Sequence, residues 1–74
     1  MEVLVHLFSM LRKGRFENSK VGLPLGADIS DLLEHLSIRR DEVGVLIVDK
    51  KEASLDRKLE EGNVVTIIPP IGGG

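Results

Sequence analysis

The apolar positions fall into short runs separated by polar turns, and their spacing changes character along the chain. In residues 3–8, Val3, Val5 and Leu7 alternate with Leu4, His6 and Phe8, which predicts a strand with one strongly apolar face. The opposite face, Leu4, His6 and Phe8, is too apolar for full solvation and is expected to meet something else. Residues 9–13 read as a short helical or turn segment that offers Met10 and Leu11 to the core and ends at Gly14. A loop over 15–19, polar apart from Phe16, leads to Val21, Leu23 and Leu25 at period two, which predicts a second strand over 20–26. Pro24 has no amide donor, so this strand belongs at a sheet edge or is short. The brief connection suits an antiparallel hairpin with the first strand.

The period then becomes helical. Ile29, Leu32, Leu33 and Leu36 stand at i, i+3, i+4 and i+7, one apolar stripe over two turns, with Ser30, Asp31, Glu34 and His35 on the other side. Asp28 is the predicted N-cap and Asp31 its reciprocal partner, so this acidic pair reads as helix capping rather than as an acid-base pair. A helix of about nine residues is too short to persist alone and requires a sheet beneath it. Residues 37–42 form a polar break with a single turn at 40–42. Residues 43–48 are apolar throughout, as in a strand covered on both sides or in the middle of a sheet, and Asp49-Lys50-Lys51-Glu52 reads as the solvated turn after it. Gly62 and Asn63 are expected to take unusual backbone angles before a last strand over 64–68, with Val65 and Ile67 facing the helix and Val64, Thr66 and Ile68 facing away. The first and last strands are the most continuously apolar and are expected side by side at the centre of a small mixed sheet that grasps one helix.

Composition narrows the possibilities. Seventy-four residues make one domain near the size at which a single core suffices. Cysteine is absent, which excludes disulfides and thiolate metal sites. Phe8 and Phe16 are the only aromatics, so the core must be aliphatic, and a net charge of −2 with both signs dispersed argues against nucleic-acid binding. No run resembles a membrane span or a signal peptide, so the expected location is cytoplasmic. His6 and His35 fall on different elements without a carboxylate or thiol at ligand spacing, and no metal site is expected.

The chain ends Pro69-Pro70-Ile71-Gly72-Gly73-Gly74. Glycines without Cβ atoms pass through a channel too narrow for side chains, and two prolines hold the chain stiff just before them. Extended, the chain reaches roughly 13 to 14 Å from Ile71 to its carboxylate, enough to enter a partner's active site. A frayed end or a linker is the competing reading of the glycines alone.

Leu7-Phe8-Ser9-Met10-Leu11-Arg12, the helix start Gly26-Ala27-Asp28-Ile29-Ser30-Asp31-Leu32-Leu33, the Leu55-Asp56 to Glu61-Gly62-Asn63 connection and the ending Ile68-Pro69-Pro70-Ile71-Gly72-Gly73-Gly74 together resemble the ubiquitin-like sulfur carriers of the MoaD/ThiS family. The ending is most similar to the small subunit of molybdopterin synthase. Two positions depart from that pattern: Ile68 stands where an aromatic is frequent, and Asp49-Lys50-Lys51-Glu52 replaces an Asn-Gly type of turn.

The resemblance implies an α+β, β-grasp domain over 1–70, a mixed four- to five-stranded sheet packed on one main helix, with a flexible tail over 71–74. It implies that an E1-like enzyme of the MoeB/ThiF type adenylates the Gly74 carboxylate with ATP, and that the terminus becomes a thiocarboxylate whose sulfur goes to a MoaE-like synthase subunit or to thiazole synthase. The carrier itself would bind no cofactor and catalyse nothing. Gly72 and Gly73 would give passage, and Leu4, His6, Phe8, Ile68, Pro69, Pro70 and Ile71 would form the partner surface. A small second core beneath the loop over 9–19 is the competing account of that apolar face. Molybdopterin synthesis is the expected destination; thiamine thiazole synthesis, protein modification through Gly74, and a plain interaction module are the alternatives.

Overall fold

A parallel pair of strands organises the sheet. In the computed structural model, which describes residues 1–70, β1 (Glu2–Leu7) lies beside β5 (Val64–Ile68), with Val5 opposite Val65 and Leu7 opposite Ile67. Two parallel neighbours need a crossover between them, and here the crossover is most of the chain: β2 (Asn18–Gly22), the helix α1 (Ile29–His35), β3 (Val45–Val48) and β4 (Lys51–Glu52). The sheet order is β2-β1-β5-β3-β4, with every pair except β1 and β5 antiparallel. This is the β-grasp arrangement, and the central placement of first and last strands agrees with their apolar sequence.

Alternation sorts the side chains. Val3, Val5, Leu7, Leu46, Val48, Val65 and Ile67 are buried on one face of the sheet, and α1 closes that face with Ile29, Leu32 and Leu33. Fully burying an aliphatic side chain of this size contributes about 1.5 to 3 kcal/mol, so the stripe is what holds a seven-residue helix in place. The helix begins as its sequence requires: the amide of Asp31 donates to Asp28 Oδ1 at 2.9 Å, and the amide of Asp28 donates to Asp31 Oδ2 at 3.0 Å. Leu36, the last member of the stripe, is the C-cap and only half-buried.

Several local expectations are corrected. β1 stops at Leu7, leaving Phe8 beyond it, and the segment after it is a 3₁₀ turn (Ser9–Arg12) in which Leu11 is buried but Met10 is 69% exposed. β2 is displaced towards the N-terminus: its register with β1 ends at Gly22, opposite Glu2, and the Leu23 amide donates to the Met1 carbonyl. Pro24 then sits in a turn, and Leu25 is 86% exposed. β3 is shorter than its apolar run and is buried on one face only. Lys51 and Glu52 form β4 instead of continuing the turn; Asp49 and Lys50 alone make the hairpin, both with positive φ (49° and 73°). Gly62 takes a positive φ of 83°, whereas Asn63 does not and is instead buried.

Long-range polar contacts complete the frame. Arg15 donates through Nη1 to the Leu11 carbonyl, through Nε to that of Leu36 and through Nη2 to that of Ser37, at 2.9 to 3.1 Å, so it answers the otherwise orphaned carbonyls at the end of α1. Leu11 and Phe16 both pack on the main core. The loop that carries them is thus tied to the helix side of the sheet, and no second core forms beneath it among the described residues.

Candidate functional site

The other face of the sheet is uncovered. Leu4 and His6 of β1, Val64, Thr66 and Ile68 of β5, and Val45 and Ile47 of β3 point to it, each half-exposed. Strand register sets them in rows: Leu4 beside Val64, His6 beside Thr66 and then Ile47, and Ile68 beside Val45. The polar rim follows from the same pairing, with Lys20 opposite Leu4 and Asn18 opposite His6 at one edge and Glu52 opposite Ile47 at the other. An aliphatic face crossed by His6 and Thr66 and bounded by a polar rim has the anatomy of a protein-binding surface.

Phe8 stands at the end of this face. Its amide donates to the Ile67 carbonyl at 3.2 Å, which fixes it beside the end of β5, and the residue is 44% exposed. The Arg12 guanidinium lies 5.7 Å from the ring centroid and donates through Nε to the Leu7 carbonyl at 2.8 Å. The His6 imidazole hydrogen-bonds through Nδ1 to Asn18 Oδ1 of the neighbouring β2, which ties it to the β1–β2 side of the face.

The chain leaves the sheet at the same end. The Gly44 amide donates to the Ile68 carbonyl at 2.7 Å, the last rung of the β3–β5 ladder. Pro69, which cannot donate, ends the pairing and is buried, and Pro70 is exposed. Leu4, His6 and Ile68 share the open face, with Phe8 and Pro70 exposed at the end where the chain leaves it. Pro69, expected on the partner surface, is instead buried, because it continues the inward alternation of Val65 and Ile67. Ile71, Gly72, Gly73 and Gly74 lie outside the described residues. His35 is on α1, behind the sheet, lining a hollow with Leu25, Asp31 and Glu34. Among the described residues, no group of three His, Cys, Asp or Glu side chains is disposed to hold a metal ion.

Val45, Ile47 and Gly44 are additions to the face and exit that sequence reasoning passed over. An apolar run without alternation conceals which residues point outward, so Val45 and Ile47 gave no signal. Gly44 did give one, since an isolated glycine in a strand pattern marks a close approach of backbone.

Comparison with known proteins supplies the remaining observation. A family model described as the ThiS family matches residues 5–74, from β1 to the final glycine. The chain belongs to the ThiS family. It is thus a member of the ubiquitin-like MoaD/ThiS sulfur-carrier family. No curated protein matches the sequence.

Solved structures agree with this membership. A Pyrococcus furiosus protein assigned as subunit 1 of molybdopterin converting factor is 25% identical, with a TM-score of 0.79 over 96% of this chain and 99% of its own. Small archaeal modifier protein 1 of Haloferax volcanii is 17% identical and shares the fold, with a TM-score of 0.78 over 95% of this chain and 98% of its own. A chain of the complex of subunits 1 and 2 of the Helicobacter pylori molybdopterin-converting factor shares it too, at 22% identity and a TM-score of 0.69 over all of both chains. No helix among the described residues is long and apolar enough to cross a membrane.

Proposed function

We propose that this ThiS-family chain carries sulfur as a thiocarboxylate on Gly74 and delivers it in molybdopterin synthesis. The observation that carries the reading is the geometry of the exit: β5 runs out of the sheet at the edge of an open apolar face, directly into Pro69 and Pro70. A partner that grips the face would receive the terminus at a fixed distance and from a fixed side.

The chemistry needs little from the carrier. An α-carboxylate is ionised at neutral pH and attacks the α-phosphorus of ATP in an E1-like partner, forming the acyl-adenylate and releasing pyrophosphate. Hydrosulfide, or a donor at the same oxidation level, then attacks the acyl carbon; AMP leaves and the thiocarboxylate remains. Glycine at positions 73 and 74 leaves both approaches unobstructed. Ordering the tail in the partner costs about 1 to 2 kcal/mol per residue. Burial of Leu4, Phe8, Val45, Ile47 and Ile68 offsets that cost, at about 25 cal/mol per Å² of apolar surface.

The likeness to the Pyrococcus protein, together with the two prolines before the glycines, favours a MoaE-like acceptor. Delivery to thiazole synthase is the second reading, kept in view by the family match itself. Modification of proteins through Gly74 would share the adenylation step and differ in leaving glycine remnants on lysines. Purified carrier incubated with ATP, hydrosulfide and the E1-like enzyme of its source cell should gain the mass of one oxygen replaced by sulfur, and truncation of Gly73 and Gly74 should abolish the gain.

A further inference from the structure

Gly44 is not in the core, since it is exposed, and it does not have the positive φ that would demand glycine. What it lacks is room. A Cβ added there would lie 2.8 Å from the Pro69 carbonyl oxygen, 2.8 Å from the Pro70 nitrogen and 2.8 Å from the Pro70 Cα. Carbon contacts are comfortable at about 3.5 to 4.0 Å, and all three atoms are backbone, which cannot swing aside as a side-chain tip can. No other glycine among the described residues meets such an obstacle: a Cβ at Gly22 would find its nearest neighbour at 4.0 Å, and those at Gly14, Gly26 and Gly62 would find none within 4 Å.

The contact falls where hydrogen bonding gives out. The Gly44 amide donates to the Ile68 carbonyl, and after that bond Pro69 and Pro70 have no N–H to pair with anything. Proline rings fix their own φ but leave ψ at Ile68 and Pro69 to be set from outside. The bare backbone of Gly44 presses on the atoms whose placement those angles control.

We propose that Gly44 is a positioning residue: by carrying no side chain it seats the Pro69-Pro70 backbone against the start of β3 and so fixes the direction in which the chain leaves the sheet for Gly74. The inference rests on the carrier reading for its consequence in activation, while the seat itself is a property of the fold. A methyl group at position 44 moves Pro70 by a few tenths of an ångström or more, and with it the point from which the chain leaves the sheet. A misplacement of about 1 Å at a reacting group is enough to cost about a hundredfold in rate. The side chains whose burial docks the partner, Leu4, Phe8, Val45, Ile47 and Ile68, stay in place, so the loss falls on turnover and not on binding.

The test uses the full chain with Gly44→Ala, Gly44→Val and, as a control of the same type at an open position, Gly22→Ala. ATP–pyrophosphate exchange with the E1-like enzyme should show kcat lowered at least about tenfold in Gly44→Ala, further lowered in Gly44→Val, with KM for the carrier unchanged and Gly22→Ala indistinguishable from the parent. Nuclear Overhauser contacts between the Gly44 and Pro70 α-protons should be present in the parent chain and lost in Gly44→Ala, while the Val5, Val65 and Ile67 methyl shifts hold. Equal kcat in the parent and Gly44→Ala overturns the role of Gly44 and leaves the carrier reading standing. If the parent itself is never activated, the carrier reading falls, and the Gly44–Pro70 contact alone decides the seat: its absence, or its survival in Gly44→Ala, overturns the proposal. Unfolding of Gly44→Ala overturns it as well, since Gly44 would then serve the fold and not the exit.

Discussion

The carboxylate of Asp49, at the tip of the β3–β4 hairpin, accepts a 2.9 Å hydrogen bond from the amide of Val64, the first residue of β5. Its other oxygen accepts from Asn63 Nδ2 at 2.6 Å, and Asn63 Oδ1 in turn accepts from the Glu60 amide. One side chain thus joins the hairpin, the turn over 60–63 and the start of the strand that leads to the exit. Asp49→Ala leaves the 6%-exposed Asn63 amide short of an acceptor and should destabilise the fold by about 1 to 3 kcal/mol in urea unfolding. A change within a few tenths of a kcal/mol would show that the network is not cooperative.

Lys50 occupies the second position of the same two-residue turn with φ 73°, a conformation that crowds a Cβ. Lys50→Gly removes that crowding without touching the bonds of Asp49. It should raise stability by about 1 kcal/mol, read as a higher thermal midpoint. A lower midpoint would mean that the lysine side chain contributes more than its backbone loses.

Asp28 gives the fold a dependence on acid. Its carboxyl is held below the ordinary value of 3.8, chiefly by the backbone N–H of Asp31 that donates to it; lost hydration opposes this, and the Asp31 side chain and the Lys58 charge add to it. A pKa depressed in the folded state means stability that is present above 3.8 and lost as pH falls through the depressed value. Asp28→Asn keeps a capping oxygen but does not titrate. The urea midpoints of parent and variant should differ most near neutral pH and converge as pH drops below 3.8, and a constant gap would contradict this origin.

Phe8 is the exposed aromatic of the open face, fixed at its backbone by Ile67 and flanked by Arg12. Because its ring is not part of the core, Phe8→Ala should leave the thermal midpoint nearly unchanged while raising KM for the E1-like enzyme about tenfold, the effect of a modest interface anchor. The same variant with altered kcat and unaltered KM would place docking elsewhere. Its behaviour is the complement of that expected for Gly44→Ala.

What the sequence disclosed and what it hid follow from the range of the forces involved. The Asp28–Asp31 box and the Ile29, Leu32, Leu33 stripe are local, so they are readable from neighbours within one or two turns. The pairing of β1 with β5 was legible because their runs are the most continuously apolar and so belong at the centre of the sheet. β2 misled, since Leu23 and Leu25 continue the period of Val21 while the pairing stops where β1 begins, a fact of the partner strand. β3 misled in the opposite sense: Leu46 and Val48 are buried and Val45 and Ile47 are open, and aliphatic residues at all four positions erase the difference. β4 has two charged residues and no pattern at all. Ile38, buried inside a polar break, and Arg15, spanning two carbonyl clusters, take their roles from contacts that no local period encodes. The partner face was half visible in Leu4, His6, Phe8 and Ile68; its other half came from β3 and needed the register to be found.

The most direct measurement is the intact mass of the carrier after incubation with ATP, hydrosulfide and its E1-like enzyme, followed by fragmentation to locate the change. The account predicts replacement of one oxygen by sulfur at Gly74, dependent on ATP and absent after removal of Gly73 and Gly74. An unchanged mass with every E1-like enzyme of the source cell would contradict it.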